Sequence, residues 1–215
     1  MDPSYSQAHR ALALVLVAMG RHEEARQAMR RARELDPYYP MQSAVSAYER
    51  LMARDYPPAL AFAQQATTVG PSFWIGHLFV AGVYAQLGNS ELALEALEKA
   101  EALSGNSKML SLRGYILATS GRTNEAEEVL RTLKSIARDR YVPPVAMALV
   151  YAGLGQRDSA FEWLEDAYQV RDVHLVFLAA GDPKWDALRE DPRFRALVER
   201  CDFMRTASSI VHAGR

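Results

Sequence analysis

Five alanines recur along the chain at a nearly constant interval, and this spacing limits the folds that the sequence can adopt. The intervals are 34, 34, 33 and 34 residues, and a second row of small residues keeps the same steps. The first row is Ala25, Ala59, Ala93, Ala126 and Ala160; the second is Ala13, Ala47, Ala81, Gly114 and Ala148. A period of about 34 residues is typical of stacked helix–turn–helix units. Such arrays work through a long shared surface, which favours binding over catalysis in a cleft.

Each period is predicted to contain two amphipathic helices, A and B, joined by a short turn. In the third period, helix A is predicted over residues 73–87 and helix B over residues 91–103. Gly88 then supplies the left-handed residue that ends helix A. Glycine stands at this position in four of the five periods, as Gly20, Gly88, Gly121 and Gly155. Alanine or glycine at the crossing of two close helices avoids overpacking, which costs about 1–3 kcal/mol.

The repeated pattern resembles the tetratricopeptide repeat: small-x-x-bulky, a glycine turn, Ala-x-x-x-bulky-x-x-Ala, then proline at the joint. The resemblance implies an all-α fold, an α-α superhelix (solenoid) of five helix–turn–helix units with a short C-terminal helical cap. The predicted units are residues 6–39, 40–73, 74–106, 107–140 and 141–174. The second unit departs most from the pattern, with Arg50 and Arg54 at positions that are usually aromatic and glycine. Its helices are expected to be the least well packed.

Both ends of the chain depart from the repeat. Residues 1–5 are predicted to be the end of a preceding repeat, because Pro3 lies 34 residues before the joint proline Pro37. This makes the chain, as an expectation, the C-terminal part of a longer array. The 34-residue period stops at residue 173. A nine-residue pattern, which we call the echo, then occurs twice, starting at Asp182-Pro183 and at Asp191-Pro192. Asp followed by Pro is a pair that starts helices. We predict a helical cap over residues 175–202 and a tail over residues 203–215.

The echo resembles the segments that close tetratricopeptide arrays in bacterial regulatory proteins. In that group the array is joined to a winged-helix, cyclase or kinase domain. No such output domain is visible in this sequence. The resemblance therefore implies a regulatory array that belongs to a bacterial protein.

The composition argues against several partners. The formal net charge is −1 with a pI near 6.5, so no basic excess is present to neutralise a nucleic-acid backbone. The apolar run at residues 11–19 is too short to span a membrane. The single cysteine, Cys201, excludes an internal disulfide and is interpreted as a free structural thiol. The predicted location is the cytoplasm.

The sequence contains no motif that calls for catalysis. Its five histidines form no close ligand pair, and we predict no metal ion and no cofactor. Neither a Gly-rich phosphate loop nor a nucleophile elbow occurs. Acidic pairs such as Glu23-Glu24 open B helices, where the helix dipole accounts for them. The protein is predicted not to be an enzyme.

The resemblance implies that the A helices line a concave groove. Of 25 positions that face the groove in this family, only two are charged here, where the chain average of 24% charged residues would give about six. The lysines, arginines and asparagines with which the chaperone-tail binders of this family hold a carboxylate are missing. The groove is thus expected to bind an apolar segment or an amphipathic helix of a protein or peptide. The expected contact residues are Arg10, Leu14, Tyr48, Leu78, Lys108, Tyr115 and Leu149.

Several interpretations of this groove stay open at the level of sequence. The leading function is a non-catalytic protein–protein interaction or regulatory module. The alternative is a ligand-sensing array of a larger bacterial signalling protein. Apolar groove positions also arise where neighbouring A helices pack together, and the tail or a second copy in a homodimer could fill the groove. Substitution of Tyr48 and Tyr115 is expected to abolish partner capture without changing thermal stability.

Overall fold

The computed structural model describes residues 5–104 and 109–201, and the first part of the chain forms ten helices in five antiparallel pairs. The A helices are α1 (Ser6–Ala18), α3 (Pro40–Met52), α5 (Trp74–Gln86), α7 (Met109–Thr119) and α9 (Pro144–Gly153). The B helices are α2 (His22–Leu35), α4 (Tyr56–Val69), α6 (Ser90–Ser104), α8 (Thr123–Asp139) and α10 (Arg157–Gln169). The molecule is an all-α superhelix, as the sequence predicts.

The helices form two layers. Consecutive A helices contact one another along the inner layer, and each B helix packs between its own A helix and the next one. The five alanines of the first repeated row and the four of the second are fully buried at these crossings. At Gly114 an added Cβ would lie 2.7 Å from a methyl group of Val150, so even alanine is too large there. The crossings thus explain why small residues recur.

The turn inside each pair uses a left-handed residue. Gly20, Gly88, Gly121 and Gly155 all have φ between +70° and +81°, the region that favours glycine. In the second unit Arg54 adopts the same conformation with φ +59°. The turn geometry is therefore the same in all five pairs, although the left-handed residue of the second pair is an arginine and not a glycine.

Helix α3 of the second unit is not loosely packed, so the expectation drawn from Arg50 and Arg54 is wrong for this helix, whereas α4 buries only Ala59, Ala63 and Ala66. Ten of the thirteen residues of α3 are buried. This helix is covered by α1 and α2 on one side and by α4 and α5 on the other. Arg50 does not disturb the packing, because its Nη1 donates to Asp55 Oδ2 at 2.6 Å near the surface.

Short elements follow the fifth pair. They are a 3₁₀ turn (Val173–Leu175), α11 (Val176–Ala179), a 3₁₀ turn (Pro183–Trp185), α12 (Asp186–Arg189) and α13 (Pro192–Cys201). Asp182 Oδ1 accepts from the backbone N–H of Lys184 at 3.1 Å, and Asp191 Oδ1 accepts from that of Arg193 at 2.9 Å. Both Asp-Pro pairs thus start helical turns. The apolar residues of the echo are buried in the core that contains the fifth pair; they are Trp185, Leu188, Phe194 and Leu197.

Three predictions concern residues outside the described ranges: the repeat end at residues 1–5, of which only Tyr5 is described, the contact residue Lys108, and the tail at residues 203–215. Within the described ranges, no helix has the length and apolar character needed to cross a bilayer.

Candidate functional site

The inner layer surrounds an apolar cavity of about 730 Å³, which we call the central cavity. All five A helices contribute aliphatic or aromatic side chains, with Leu112 from α7, and α8 and residues 141–143 add more of them. Residues 173–189, which we call the closing segment, form the remaining wall through His174, Phe177 and Trp185. The cavity is therefore bounded by repeats and by the segment that follows them.

The closing segment crosses from the fifth unit back to the first two units. Helix α11 contacts α1, and the next residue, Ala180, is buried in the same core as α1 to α3. The Phe177 ring meets the Tyr48 ring edge-on, with centroids 6.0 Å apart. Tyr48 in turn lies 5.9 Å from the Phe79 ring of α5. A row of aromatic rings thus joins the closing segment to two A helices.

An ion pair connects the same regions at the surface. Arg54 Nη2 lies 2.6 Å from Asp186 Oδ1, and Arg54 Nε donates to Asp186 Oδ2 at 3.3 Å. The two residues are 132 positions apart in the chain. The bidentate geometry orients the guanidinium toward α12. The left-handed residue of the second unit therefore holds the closing segment.

Three polar side chains that line the central cavity, those of Lys184, Asp182 and His174, have partners close to them in the sequence. Lys184 Nζ lies 2.8 Å from Asp182 Oδ1 and 2.6 Å from Asp182 Oδ2. The His174 ring makes a hydrogen bond of 2.7 Å from Nδ1 to Asp172 Oδ1, and Asp172 is buried. Pairing satisfies these groups locally, so the cavity offers mainly apolar contact to a bound molecule.

Two buried tyrosines face the carboxylates of the closing segment. Burial, and then the charge of Asp182, raises the pKa of Tyr48 above its ordinary value. Burial is also the main cause that raises the pKa of Tyr115, with smaller contributions from Asp182 and Asp186. Both phenols stay neutral in the physiological range.

The structure brings four of the expected contact residues together. Leu14, Tyr48, Leu78 and Leu149 all line the central cavity. Arg10 does not, and its guanidinium lies 5.1 Å from the centroid of the Tyr39 ring.

Tyr115 does not line the cavity either; its hydroxyl accepts a hydrogen bond of 3.4 Å from Gln86 Nε2. Tyr48 and Tyr115 are each only 9% exposed. Their truncation would remove core packing, so the expectation of unchanged thermal stability loses its basis.

Sequence reasoning missed the residues of the closing segment. His174 and Phe177 lie beyond the last predicted repeat, where the 34-residue period stops. The apolar stretch at residues 173–180 is the signal that could have shown a buried element at this point. The repeat pattern does not indicate, however, that this element crosses from the fifth unit to the first two units.

The described residues hold neither a metal cluster nor a reactive thiol. No group of three or more His, Cys, Asp or Glu side chains in these ranges is arranged to bind a metal ion. Cys201 is a free, partly buried cysteine on α13. Burial raises the pKa of its thiol, which keeps it protonated and weakly nucleophilic at neutral pH.

Comparison with known proteins agrees with this architecture. Family models described as tetratricopeptide repeat match residues 6–39, 42–108 and 107–140. A crystal structure described as a thermophilic TPR protein of Thermus thermophilus has a TM-score of 0.65 and 23% sequence identity, over 82% of this chain and 97% of that one. At this identity the likeness shows the fold alone. No curated protein matches the chain.

The repeat matches together extend from residue 6 to residue 140 of a 215-residue chain. They agree with the observed helix pairs and with the buried small residues at every crossing. The chain belongs to the tetratricopeptide repeat family.

Proposed function

We propose that this protein is a non-catalytic interaction module that holds an apolar segment of a partner protein in the central cavity. Tetratricopeptide repeats generally mediate protein–protein interaction. The observation that carries the proposal is the lining of the cavity, in which aliphatic and aromatic side chains of all five A helices converge while Lys184, Asp182 and His174 have partners.

The size of the cavity limits the part of a partner that can enter. An α-helix about 10–12 Å across has a cross-section of roughly 80–110 Å². A volume of about 730 Å³ therefore accommodates roughly 7–9 Å of helix, which is about five or six residues. The closing segment occupies the rest of the concave face. The bound element is thus a short apolar segment or one end of an amphipathic helix.

The size of the cavity also limits the affinity for a partner segment. Burying one large apolar side chain contributes about 1.5–3 kcal/mol, and two or three such side chains fit a segment of this length. Association itself costs several kcal/mol in lost freedom of motion. We therefore expect modest affinity and reversible binding, as suits a regulatory contact.

Leu14 provides a test that does not disturb the core. Its side chain lines the cavity but is 42% exposed, so Leu14→Lys should leave the thermal midpoint within about 2 °C of the parent protein. We expect the charged side chain to reduce capture of a cellular partner at least tenfold, measured by quantitative co-purification with a tagged protein. The matched control is Leu92→Lys, the same change at a site on α6 that is 45% exposed and away from the cavity. Equal capture by Leu14→Lys would contradict the proposal, and so would equal loss in both variants.

A second candidate function is the binding of a small apolar ligand by the same cavity. Its volume falls within the range of about 300–1,000 Å³ that is typical of small-molecule pockets. Native mass spectrometry of the purified protein separates the two candidates. A bound molecule that is retained by Leu92→Lys and lost by Leu14→Lys would favour ligand sensing over partner capture. A regulatory role, a bacterial origin and a cytoplasmic location stay predictions of the sequence.

A further inference from the structure

One face of α1 carries apolar side chains that no other described element covers. It consists of Ala8, Leu12 and Val15, and we call it the outer face of α1. Val15 is 53% exposed and Leu12 is 37% exposed. Leu14, by contrast, points into the central cavity. The first helix thus has two apolar sides, and only one of them belongs to the site described above.

The other units show what this face normally does. Ala8, Leu12 and Val15 are the third, seventh and tenth residues of the first unit, counted from Ser6. The tenth residues of the other four units are at most 2% exposed; they are Glu49, Val83, Ile116 and Val150. The first unit is therefore the one in which this position is open.

In those units the face is covered by the preceding B helix. Arg113, a seventh residue on α7, pairs with Glu101 of α6 at 2.7 Å. Ser46, the seventh residue on α3, accepts a hydrogen bond from Arg33 of α2. A Cβ added at Gly76, the third residue on α5, would lie 3.3 Å from Ala66 Cβ of α4. The partner of this face is a B helix in each case.

The opposite end of the array is closed in the corresponding way. Helix α13 lies on α10, where Arg200 makes two hydrogen bonds of 2.8 Å to Glu165 and stacks 4.1 Å from the Tyr168 ring. Arg193 stacks 4.1 Å from the Phe161 ring of the same helix. Every B helix in the described ranges is thus covered by a following helix. A second copy of this chain has no open B helix to place on α1.

We propose that the outer face of α1 docks the B helix of a further helix–turn–helix unit placed before α1 in the same array. The surface would continue the joints already present between consecutive units. The joints also indicate the chemistry of the partner. Glu101 faces Arg113, whereas Thr67, at the same position of α4, lies at a joint where the seventh residue is Val80. At the joints where the seventh residue is uncharged, this position of the B helix is Arg33, Thr67 or Lys134. Leu12 is the corresponding uncharged residue of α1, so the partner carries no carboxylate there.

The test adds such a unit from the chain itself. Residues 40–73 are fused directly before residue 6, which keeps the register because residue 74 holds the same position in its unit. We expect the added joint to raise the thermal midpoint by about 4 °C or more and to slow amide hydrogen exchange in α1. Val15→Lys should cancel this gain in the fusion. In the protein without the fusion it should change the midpoint by less than about 1 °C, because Val15 is exposed.

The partner chemistry has its own control within the fusion. Thr67→Glu in the added copy should reduce the gain, because the carboxylate would meet Leu12. Adding Leu12→Arg should restore it by recreating the pair that Glu101 and Arg113 form. A gain that is independent of both changes would overturn the proposed chemistry.

Three results would overturn the docking proposal itself. The first is a fusion that does not raise the midpoint, or a gain that Val15→Lys leaves intact. The second is a dimer of the unfused protein in light scattering that Val15→Lys dissociates, because a second copy then occupies the face. The third is faster exchange in α1 after deletion of residues 202–215, which would assign the face to the tail. The Leu14→Lys experiment is independent, since it reports on the cavity side of α1.

Discussion

At the scale of single residues, the joint between the first two units contains buried polar side chains. Gln42, the third residue of the second unit, is fully buried, and neither its amide nitrogen nor its amide oxygen has a hydrogen-bond partner in the described ranges. Glu49 is buried in the same joint, 3.3 Å from the Nε of Arg26. At the fourth unit the third residue is Met109, also buried. The third position of a unit is thus filled by a polar side chain in one joint and by an apolar side chain in another, and burying the polar one costs more free energy.

We expect Gln42→Met to raise the free energy of unfolding by about 1–2 kcal/mol, because an unsatisfied buried polar group costs about 1–3 kcal/mol. Urea titration followed by circular dichroism measures this change. The reciprocal variant Met109→Gln is the matched control and should lower the free energy of unfolding by a similar amount. A lower free energy of unfolding for Gln42→Met would contradict this expectation, because it would mean that the Gln42 side chain makes a hydrogen bond that stabilises the joint.

The residue scale also shows what sequence could and could not predict. Gly88 and its equivalents were predictable as helix stops because a left-handed turn is a local requirement. The burial of Gln42 was not, because it depends on α2 lying across the position, and nothing in the residue type indicates it. Tyr48 lines the central cavity, but its cover, Phe177, comes from a distant part of the chain.

At the scale of elements, α13 closes the array through ion pairs at its surface. Hydrogen bonds from Arg200, and then from Gln169, lower the pKa of Glu165 to about 2. Hydrogen bonds from the side chain and backbone of Arg193 lower the pKa of Asp191 to about 2. Both folded-state pKa values lie below the ordinary values. The carboxylates therefore stabilise the docked helix above about pH 4.5, and this contribution is lost as the pH falls toward 2.

We expect amide exchange in α13, corrected for the intrinsic pH dependence, to become faster relative to α5 between pH 4.5 and 2. Glu165→Gln should reduce this pH dependence, and Asp191 should account for what remains. Glu162→Gln, which changes the charge of the same helix by the same amount, should not reduce it. The pairs are exposed, so 1 M salt should reduce the effect. Exchange in α13 that tracks α5 at every pH would show that the ion pairs do not hold this helix.

Elements were predictable to the extent that their signals are local. The Asp182-Pro183 and Asp191-Pro192 starts were confirmed because capping involves neighbouring backbone groups. The route of the closing segment was not predicted, because it depends on contacts between residues more than a hundred positions apart. Such contacts leave no period in the sequence.

At the scale of the whole molecule, the closing segment changes how the array holds together. In an open solenoid each unit contacts only its neighbours, so stability is a sum of local terms. Here Phe177 packs on Tyr48 and Asp186 pairs with Arg54, so the fifth unit is linked to the second. This link also forms one wall of the central cavity. A molecule bound in the central cavity would contact this wall, so its binding and the stability of the first two units would be coupled.

The ion pair allows this coupling to be tested by charge reversal. Arg54→Asp and Asp186→Arg each place like charges opposite one another, whereas the double variant restores an opposite pair, and Asp tolerates the left-handed backbone at position 54. An exposed pair contributes about 0.2–1 kcal/mol. We therefore expect each single variant to speed native-state amide exchange in α1 and α3 by up to about fivefold relative to α8. The double variant should exchange more slowly than Asp186→Arg, because it restores the pair with residue 54 although it still lacks the pair between Asp186 and Arg189. Exchange in α1 and α3 that is the same in all four proteins would show that the closing segment does not carry stability from the end of the array to its beginning.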